Sequence, residues 1–94
     1  MSNTAITIDG INVSVRDGSV DWRVLEVYSE LGAGSEKAIS KLPWLARRVI
    51  DNWEDVLDQL EARDGRADIG ICTKIILQAI NTAAGAGTEA EAKN

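Results

Sequence analysis

The chain has 94 residues, of which 45% are hydrophobic, and its formal net charge at neutral pH is −5. This length suits one domain with a modest core, and the acidic balance disfavours nucleic acid as a partner, because phosphate binding needs a basic surface. Histidine is absent and Cys72 is the one cysteine, which removes the usual general base, the usual zinc ligands and an internal disulfide.

The first residues lack the basic and apolar regions of a secretory signal peptide. No apolar run approaches the roughly 18 residues that a membrane span needs. We therefore expect a soluble, cytoplasmic protein without a membrane partner.

Residues 5–15 predict a β-hairpin. Alternating apolar and polar residues at 6–8 and 11–15 flank Asp9-Gly10, and this dipeptide between such runs favours a type I′ turn. The register of a two-residue loop places four apolar side chains on one face: Ile6, Ile8, Ile11 and Val13. Both edges of an isolated hairpin are unpaired, which leaves open pairing with a strand from another copy.

A first helix is predicted over 20–31, with Ser19 as its cap and Gly32 as its left-handed C-terminal residue. At about 100° per residue, its apolar face comprises Val20, Val24, Val27, Tyr28 and Leu31. Trp22 points to the opposite side of this helix. A short second helix is predicted over 35–41, because Pro43 cannot continue it cleanly.

Pro43 suits the start of a new helix, and the longest helix is predicted over 43–63, ending at Asp64-Gly65. Its apolar stripe comprises Leu45, Val49, Trp53, Val56, Leu57 and Leu60. Trp44 points into the polar sector, whereas Trp53 is expected in the core. Four carboxylates share one side of this helix, namely Asp51, Glu54, Asp55 and Asp58. We interpret them as a solvated face, with an acidic patch for a basic partner or weak cation binding as the alternatives.

Asp68 is the predicted cap of a last helix over 69–81, which is apolar around most of its circumference. Such a helix is buried, or is buried on one side and docked to a partner on the other. Residues 82–94 are small, Gly/Ala-rich and acidic, and predict a flexible tail.

These elements predict an α+β fold, in which an N-terminal two-stranded β-hairpin packs on three to four α-helices. Residues 1–81 form one globular domain, followed by a disordered C-terminal tail. The sequence offers no candidate catalytic, cofactor-binding or metal-ligating residues, so we interpret the chain as a non-enzymatic protein that binds proteins.

Four residues are the candidates for partner contact or self-association: Trp22, Trp44, Ile71 and Leu77. Tryptophan is enriched at binding hot spots, and Trp22 and Trp44 lie off the apolar stripes of their helices. The alternative is that the preceding loop or the hairpin folds over each tryptophan. Ile71 and Leu77 belong to the unusually apolar last helix.

The order of three segments carries a family resemblance: DWRVLEVYSEL (21–31), WEDVLDQLEARDGR (53–66) and ADIGICTKIILQAIN (67–81). With the short hairpin before them and the small-residue acidic tail after them, they resemble the tail assembly chaperones of long-tailed phages and prophages of Gram-positive hosts. The likeness spans about 20–85. The strict hairpin departs from the looser N-terminal segment of many members.

The resemblance implies a chaperone that binds the tape measure protein in the host cytoplasm and keeps its hydrophobic helices soluble during tail assembly. It brings no catalytic residue and no cofactor. One alternative is a small acidic phage inhibitor or DNA mimic acting on a host protein, although many acids alternate with basic residues such as Arg47 and Arg48. Another alternative is a structural virion connector.

Overall fold

The computed structural model describes the backbone of residues 2–92 and the side chains of residues 2–85. Within these residues an N-terminal antiparallel hairpin precedes five helices, which is the α+β architecture that the sequence predicts. The elements are β1 (Asn3–Ile8), β2 (Ile11–Arg16), α1 (Trp22–Gly32), α2 (Glu36–Ile39), α3 (Leu42–Val49), α4 (Trp53–Asp64) and α5 (Ile69–Ala92).

The hairpin has the predicted turn and register. Asp9 and Gly10 have φ angles of 52° and 80°, as a type I′ turn requires. Ile8 pairs with Ile11, and Ile6 pairs with Val13. Because side chains alternate along a strand, one face of the hairpin is apolar and faces the helices.

The core lies between this face and the helices α1, α3, α4 and α5. Its largest fully buried side chains are Ile11, Val13, Val15, Val24, Leu45, Val49, Ile50, Val56, Leu60, Ile75 and Ile76. Trp53 joins them with only 7% of its surface exposed, which confirms its prediction as a core residue. In the part of the chain whose side chains are described, no polar or charged residue is buried.

The prediction of one helix over 43–63 is wrong, because the chain breaks between Val49 and Trp53. Ile50 adopts an extended conformation, with φ −115° and ψ 119°, and forms an antiparallel bridge with Val15. The N–H of Asp51 donates a hydrogen bond of 2.8 Å to the carbonyl of Ser14. At the break, bonding to β2 thus replaces helical hydrogen bonding. Because β2 is distant in the sequence, local periodicity does not predict this contact.

The break also interrupts the predicted row of four carboxylates. Asp51 lies outside α4, where it forms an ion pair of 3.5 Å with Arg16. Glu54, Asp55 and Asp58 remain exposed on α4.

The predicted start of the first helix is two residues too early, and its predicted end is one residue too early. Asp21, not Ser19, is the cap, and its carboxylate accepts a hydrogen bond of 3.1 Å from the N–H of Val24. The helix continues through Gly32, and the left-handed residue is Gly34, with a φ angle of 78°.

The predicted signals around α4 and α5 are confirmed at two positions. Gly65 ends α4 with a φ angle of 83°, and the Asp68 carboxylate accepts a hydrogen bond of 3.1 Å from the N–H of Ile71 at the start of α5.

The predicted end of the last helix at residue 81 is wrong, because α5 continues and buries Ala83. Alanine favours a helix and packs closely against neighbouring residues. The rest of the predicted flexible tail, from residue 86 onward, lies outside the residues whose side chains are described.

Candidate protein-binding surfaces

Five large apolar side chains are exposed among the residues with described side chains. The exposed fractions are 75% for Ile69, 72% for Trp22, 58% for Ile39, 45% for Leu25 and 44% for Trp44. Scattered exposed apolar residues are ordinary on a soluble protein, whereas apolar residues gathered around a concave surface indicate a binding site.

Ile39 and Ile69 meet this criterion, because both line a concave surface between α2–α3 and α4–α5. We call this surface the apolar groove, and its volume is about 400 Å³. Its lining residues are Ile39, Leu42, Pro43, Arg47, Trp53, Leu57, Ala67, Ile69, Cys72, Thr73 and Ile76.

Helix ends position the two exposed isoleucines. Ile39 is the last residue of α2, and Ile69 is the first residue of α5, so neither has a full turn of its own helix packed around it. Buried or half-buried side chains such as Trp53, Leu57 and Ile76 complete the lining. The groove therefore joins exposed apolar surface to the hydrophobic core.

Arg47 supplies the one charged side chain of the apolar groove, and it is paired. Its guanidinium lies 2.6 Å from the Glu54 carboxylate, and both side chains are mostly exposed. This ion pair adds little stability, because water screens exposed charges. It gives the groove a polar margin beside an apolar lining.

Cys72 lies in the wall of the apolar groove and is partly buried. Burial is the main cause that raises the pKa of its thiol, and the nearby Asp68 carboxylate adds to the effect. A raised pKa keeps the thiol protonated at neutral pH, and the thiol is a poor nucleophile in that form. Cys72 therefore contributes to the groove as a small apolar side chain.

Trp44 lies on a different surface, a groove of about 400 Å³ between α1 and α3. The other lining residues are mostly charged, and only Val27 is apolar: Arg23, Glu26, Val27, Glu30 and Lys41. Glu30 and Lys41 form an ion pair of 3.2 Å across this groove. Trp44 is thus about half covered within a charged surface.

Trp22 is the first residue of α1 and is not covered by the loop before it or by the hairpin, as its exposed fraction shows. The position of Trp22 opposite the apolar face of α1, which the periodicity predicts, is therefore confirmed. Its role in partner binding stays a prediction.

Ile71 and Leu77 lie apart from both tryptophans. Ile71 is partly buried against the hydrophobic core, and Leu77 lines a small depression of about 230 Å³ beside Tyr28 and Leu31. The structure thus distributes the four predicted contact residues over several surfaces instead of gathering them in one site.

The apolar groove itself was missed at the level of sequence, although one signal for it was present. Ile69, Cys72, Thr73 and Ile76 stand at i, i+3, i+4 and i+7, the spacing of a continuous helical face. This face adjoins the one that contains Ile75 and Ala79, both buried in the core. The contributions of α2 and α3 had no comparable signal, because they depend on how the helices pack.

No cluster of three or more potential metal ligands occurs in the described part of the chain. Within the same residues, no helix is sufficiently long and apolar to cross a membrane. Lowered carboxyl pKa values, as at Asp17 and Asp21, arise mainly from hydrogen bonds that hold a turn and a helix end in place. Comparison of the chain with protein-family models, curated proteins and solved structures finds no match.

Proposed function

We propose that this protein is a non-enzymatic tail assembly chaperone of a long-tailed phage or prophage. In the host cytoplasm it would bind the tape measure protein and keep the apolar helices of that client soluble until the tail forms. The observation that carries the proposal is the apolar groove, with Ile39 and Ile69 exposed beside a continuous apolar lining. An amphipathic helix binds such a groove through apolar side chains on one of its faces.

The exposed isoleucines set the scale of the binding energy. Fully burying an isoleucine side chain stabilises a complex by about 1.5–3 kcal/mol, and more than half of each side chain is still exposed here. Ile39 and Ile69 together would therefore contribute about 2–4 kcal/mol. Removal of one of them should weaken binding roughly tenfold, since 1.4 kcal/mol corresponds to a factor of ten in Kd.

The acidic exterior supports the same function. The net charge of −5 keeps the chain and its complexes apart in solution, and Glu54, Asp55, Asp58 and Glu61 are exposed on α4. A chaperone with this surface holds an apolar client helix while presenting charge to the solvent.

Co-expression with a candidate tape measure protein tests the proposal. The wild-type chain should increase the soluble fraction of the client, and Ile69→Asp should lose most of this effect. Ile69 is suited to the test because it is highly exposed and opens α5, where a carboxylate is favourable to the helix dipole. The variant should therefore fold normally, which circular dichroism checks.

Leu25→Asp is the matched control, because Leu25 is also an exposed apolar residue but does not line the apolar groove. It should solubilise the client as well as the wild type does. The proposal fails if the wild type leaves client solubility unchanged, or if Ile69→Asp and Leu25→Asp behave alike.

Cys72 offers a direct measure of groove occupancy, because it is the one cysteine of the chain and lies in the groove wall. A saturating helical fragment of the tape measure protein should slow alkylation of Cys72 by N-ethylmaleimide about fivefold or more, since a bound helix excludes the reagent. Unchanged alkylation by a fragment that does bind would place the client elsewhere on the protein.

The alternative of a DNA mimic is less compatible with the charges of the described residues. Several carboxylates are held in ion pairs, among them Asp21 with Arg48, Asp51 with Arg16, and Asp9 with Lys74. A surface that imitates DNA needs free negative charges at phosphate-like spacing.

A further inference from the structure

The two edges of the β-hairpin differ in how their backbone groups are bonded. On the outer edge of β2, the N–H of Asn12 donates to Gln59 Oε1 at 2.9 Å, and Gln59 Nε2 donates to the carbonyl of Asn12 at 2.9 Å. The N–H of Ser14 donates to Asn52 Oδ1 at 2.8 Å, and its carbonyl accepts from the N–H of Asp51. The backbone N–H and C=O groups of Asn12 and Ser14, which point to the outer edge of β2, are thus all hydrogen-bonded within the chain.

The outer edge of β1 has no equivalent cover. Ala5 and Thr7 are the cross-strand partners of Ser14 and Asn12, so their backbone groups also point away from the hairpin. These groups have no hydrogen-bond partner within the described residues. β1 also lacks the charged residues, proline or bulge that usually protect an exposed edge. This edge is therefore able to accept another strand.

Burial of the sheet decreases toward the same edge. On the core-facing side, Ile11, Val13 and Val15 of β2 are all buried, whereas in β1 Ile8 is buried but Thr4 and Ile6 are only partly buried. Ile6 packs against the core but retains exposed surface. A strand added beside β1 would cover this surface and continue the apolar face.

We propose that the added strand is β1 of a second copy of this chain, paired antiparallel about a two-fold axis at Ile6. Ala5 then pairs with Thr7 of the second copy and Thr7 with Ala5, which makes four backbone hydrogen bonds. The two Ile6 residues face each other in a non-hydrogen-bonded pair, in which Cα atoms approach to about 4.5 Å. The product is a four-stranded sheet that runs through a symmetric dimer.

The overall charge opposes self-association, because two chains of net charge −5 repel each other. A second copy therefore pairs most easily where neither chain presents an ionised group, and the outer edge of β1 is such a place. β1 contains no ionisable side chain. The nearest acids are already bonded, since Asp9 pairs with Lys74 at 3.0 Å and Asp17 accepts hydrogen bonds from Thr4 and Ser2. The strand is thus both neutral and complementary to itself.

The interface is small, because it joins one short strand to another. Interfaces of less than about 1,200 Å² are typical of weak complexes, so we expect a Kd of roughly tens of micromolar. The apolar groove contains no hairpin residue, and dimerisation through β1 is therefore independent of client binding.

Sedimentation velocity of the full chain, from about 10 µM to about 1 mM around that expected Kd, tests the dimer. The mass of the wild type should rise from 10.1 kDa toward twice that value. Thr7→Lys should remain monomeric, because it places a charge beside the neighbouring strand. Asn12→Lys is the matched control, since Asn12 lies directly opposite Thr7 on the same exposed face, and it should dimerise like the wild type.

Amide exchange measured by NMR locates the interface. Between the dilute and concentrated samples, exchange at Ala5 and Thr7 should slow about fivefold, because the exchange rate is proportional to the fraction of chains that remain unpaired. Exchange at Asn12 and Ser14 should not change, because those groups are bonded in each copy.

Three results would overturn the proposal. The first is a wild type that remains monomeric throughout the concentration range. The second is a Thr7→Lys variant that dimerises as readily as Asn12→Lys. The third is a dimer in which exchange at Ala5 and Thr7 does not depend on concentration. If Ile69→Asp abolished such a dimer, its interface would be the apolar groove instead.

Discussion

Replacing each tryptophan with alanine gives a quantitative test of the fold. Burying a tryptophan removes about 200 Å² from water, which at about 25 cal/mol per Å² corresponds to about 5 kcal/mol. Because only 7% of the Trp53 surface is exposed, 93% of it is buried. Trp53→Ala should therefore lower the free energy of unfolding by about 4 kcal/mol, which is within the range for truncating a core aromatic residue.

Replacing either of the other two tryptophans should lower the free energy of unfolding by less, because a smaller fraction of each side chain is buried. Trp22 has only about a quarter of its surface covered, so Trp22→Ala should cost about 1 kcal/mol or less. Trp44 is about half covered, and its replacement should cost about 2 kcal/mol. From the most stable variant to the least stable, the expected order is Trp22→Ala, Trp44→Ala and Trp53→Ala.

Urea unfolding followed by far-UV circular dichroism measures these differences without depending on tryptophan fluorescence. With an m-value of roughly 2 kcal/mol per molar urea, Trp53→Ala should lower the midpoint by about 2 M, and Trp22→Ala by less than about 0.5 M. Equal losses for Trp22→Ala and Trp53→Ala would refute the placement of Trp22 on the surface. A loss below about 1 kcal/mol for Trp53→Ala would refute its packing in the core.

Three further predictions concern the helix ends and the sheet edge. The N–H of Val24 and then the Arg48 guanidinium lower the pKa of Asp21 below 3.8, so its charge stabilises the fold above pH 3.8, and this contribution is lost as pH falls through the lower folded-state pKa. The thermal midpoint of Asp21→Asn should thus lie below that of the wild type at neutral pH and converge with it in acid. Asn52→Ala should cost about 1–2 kcal/mol in urea unfolding, because the N–H of Ser14 loses its acceptor, and exchange of that amide should accelerate. Gly65→Ala should lower the free energy of unfolding by about 1 kcal/mol, because Gly65 has a positive φ angle. Gly32→Ala should raise it by up to about 1 kcal/mol, because Gly32 lies within α1 and next to open space. Changes of the same sign in the two variants would contradict these assignments.

The features that the sequence predicts correctly are those set by neighbouring residues. The Asp9-Gly10 turn and its register depend on a few residues of alternating polarity, and the cap at Asp68 depends on one hydrogen bond within a turn. The buried position of Trp53 follows from its spacing to Val56 and Leu60, both fully buried. Local chemistry of this kind survives the packing of the domain.

The candidate surface was less accessible to prediction, because it needs several helices. The positions of Trp22 and Trp44 off their apolar stripes follow from helical periodicity, and both side chains are indeed substantially exposed. Periodicity gives a direction around one helix but does not show which other helices share that side. Ile39 and Ile69 line the same groove because α5 packs against α3, a contact between helices that no local pattern encodes.

The break after Val49 is the clearest case in which a distant contact overrides local preference. Val49, Ile50 and Trp53 keep the spacing of a helical stripe, so the sequence around them favours an unbroken helix. The N–H of Ile50 still donates to the carbonyl of Ala46, but the N–H of Asp51 leaves the helical pattern and bonds the carbonyl of Ser14 instead, beside the bridge between Ile50 and Val15. Strand-like bonding is available there only because the hairpin already lies alongside.

The same break determines which edge of the hairpin is available to another chain. Asn52, in the break, and Gln59, on α4, bond the outward backbone groups of β2 through their side-chain amides. An unbroken helix would carry Asn52 away from Ser14 and leave both edges of the hairpin exposed. With the break, β2 is covered and β1 is left free, so the hairpin has a single direction in which its sheet can grow. A sheet that can grow at one edge only forms a closed pair of copies rather than an open fibre, because pairing uses up the free edge of each copy.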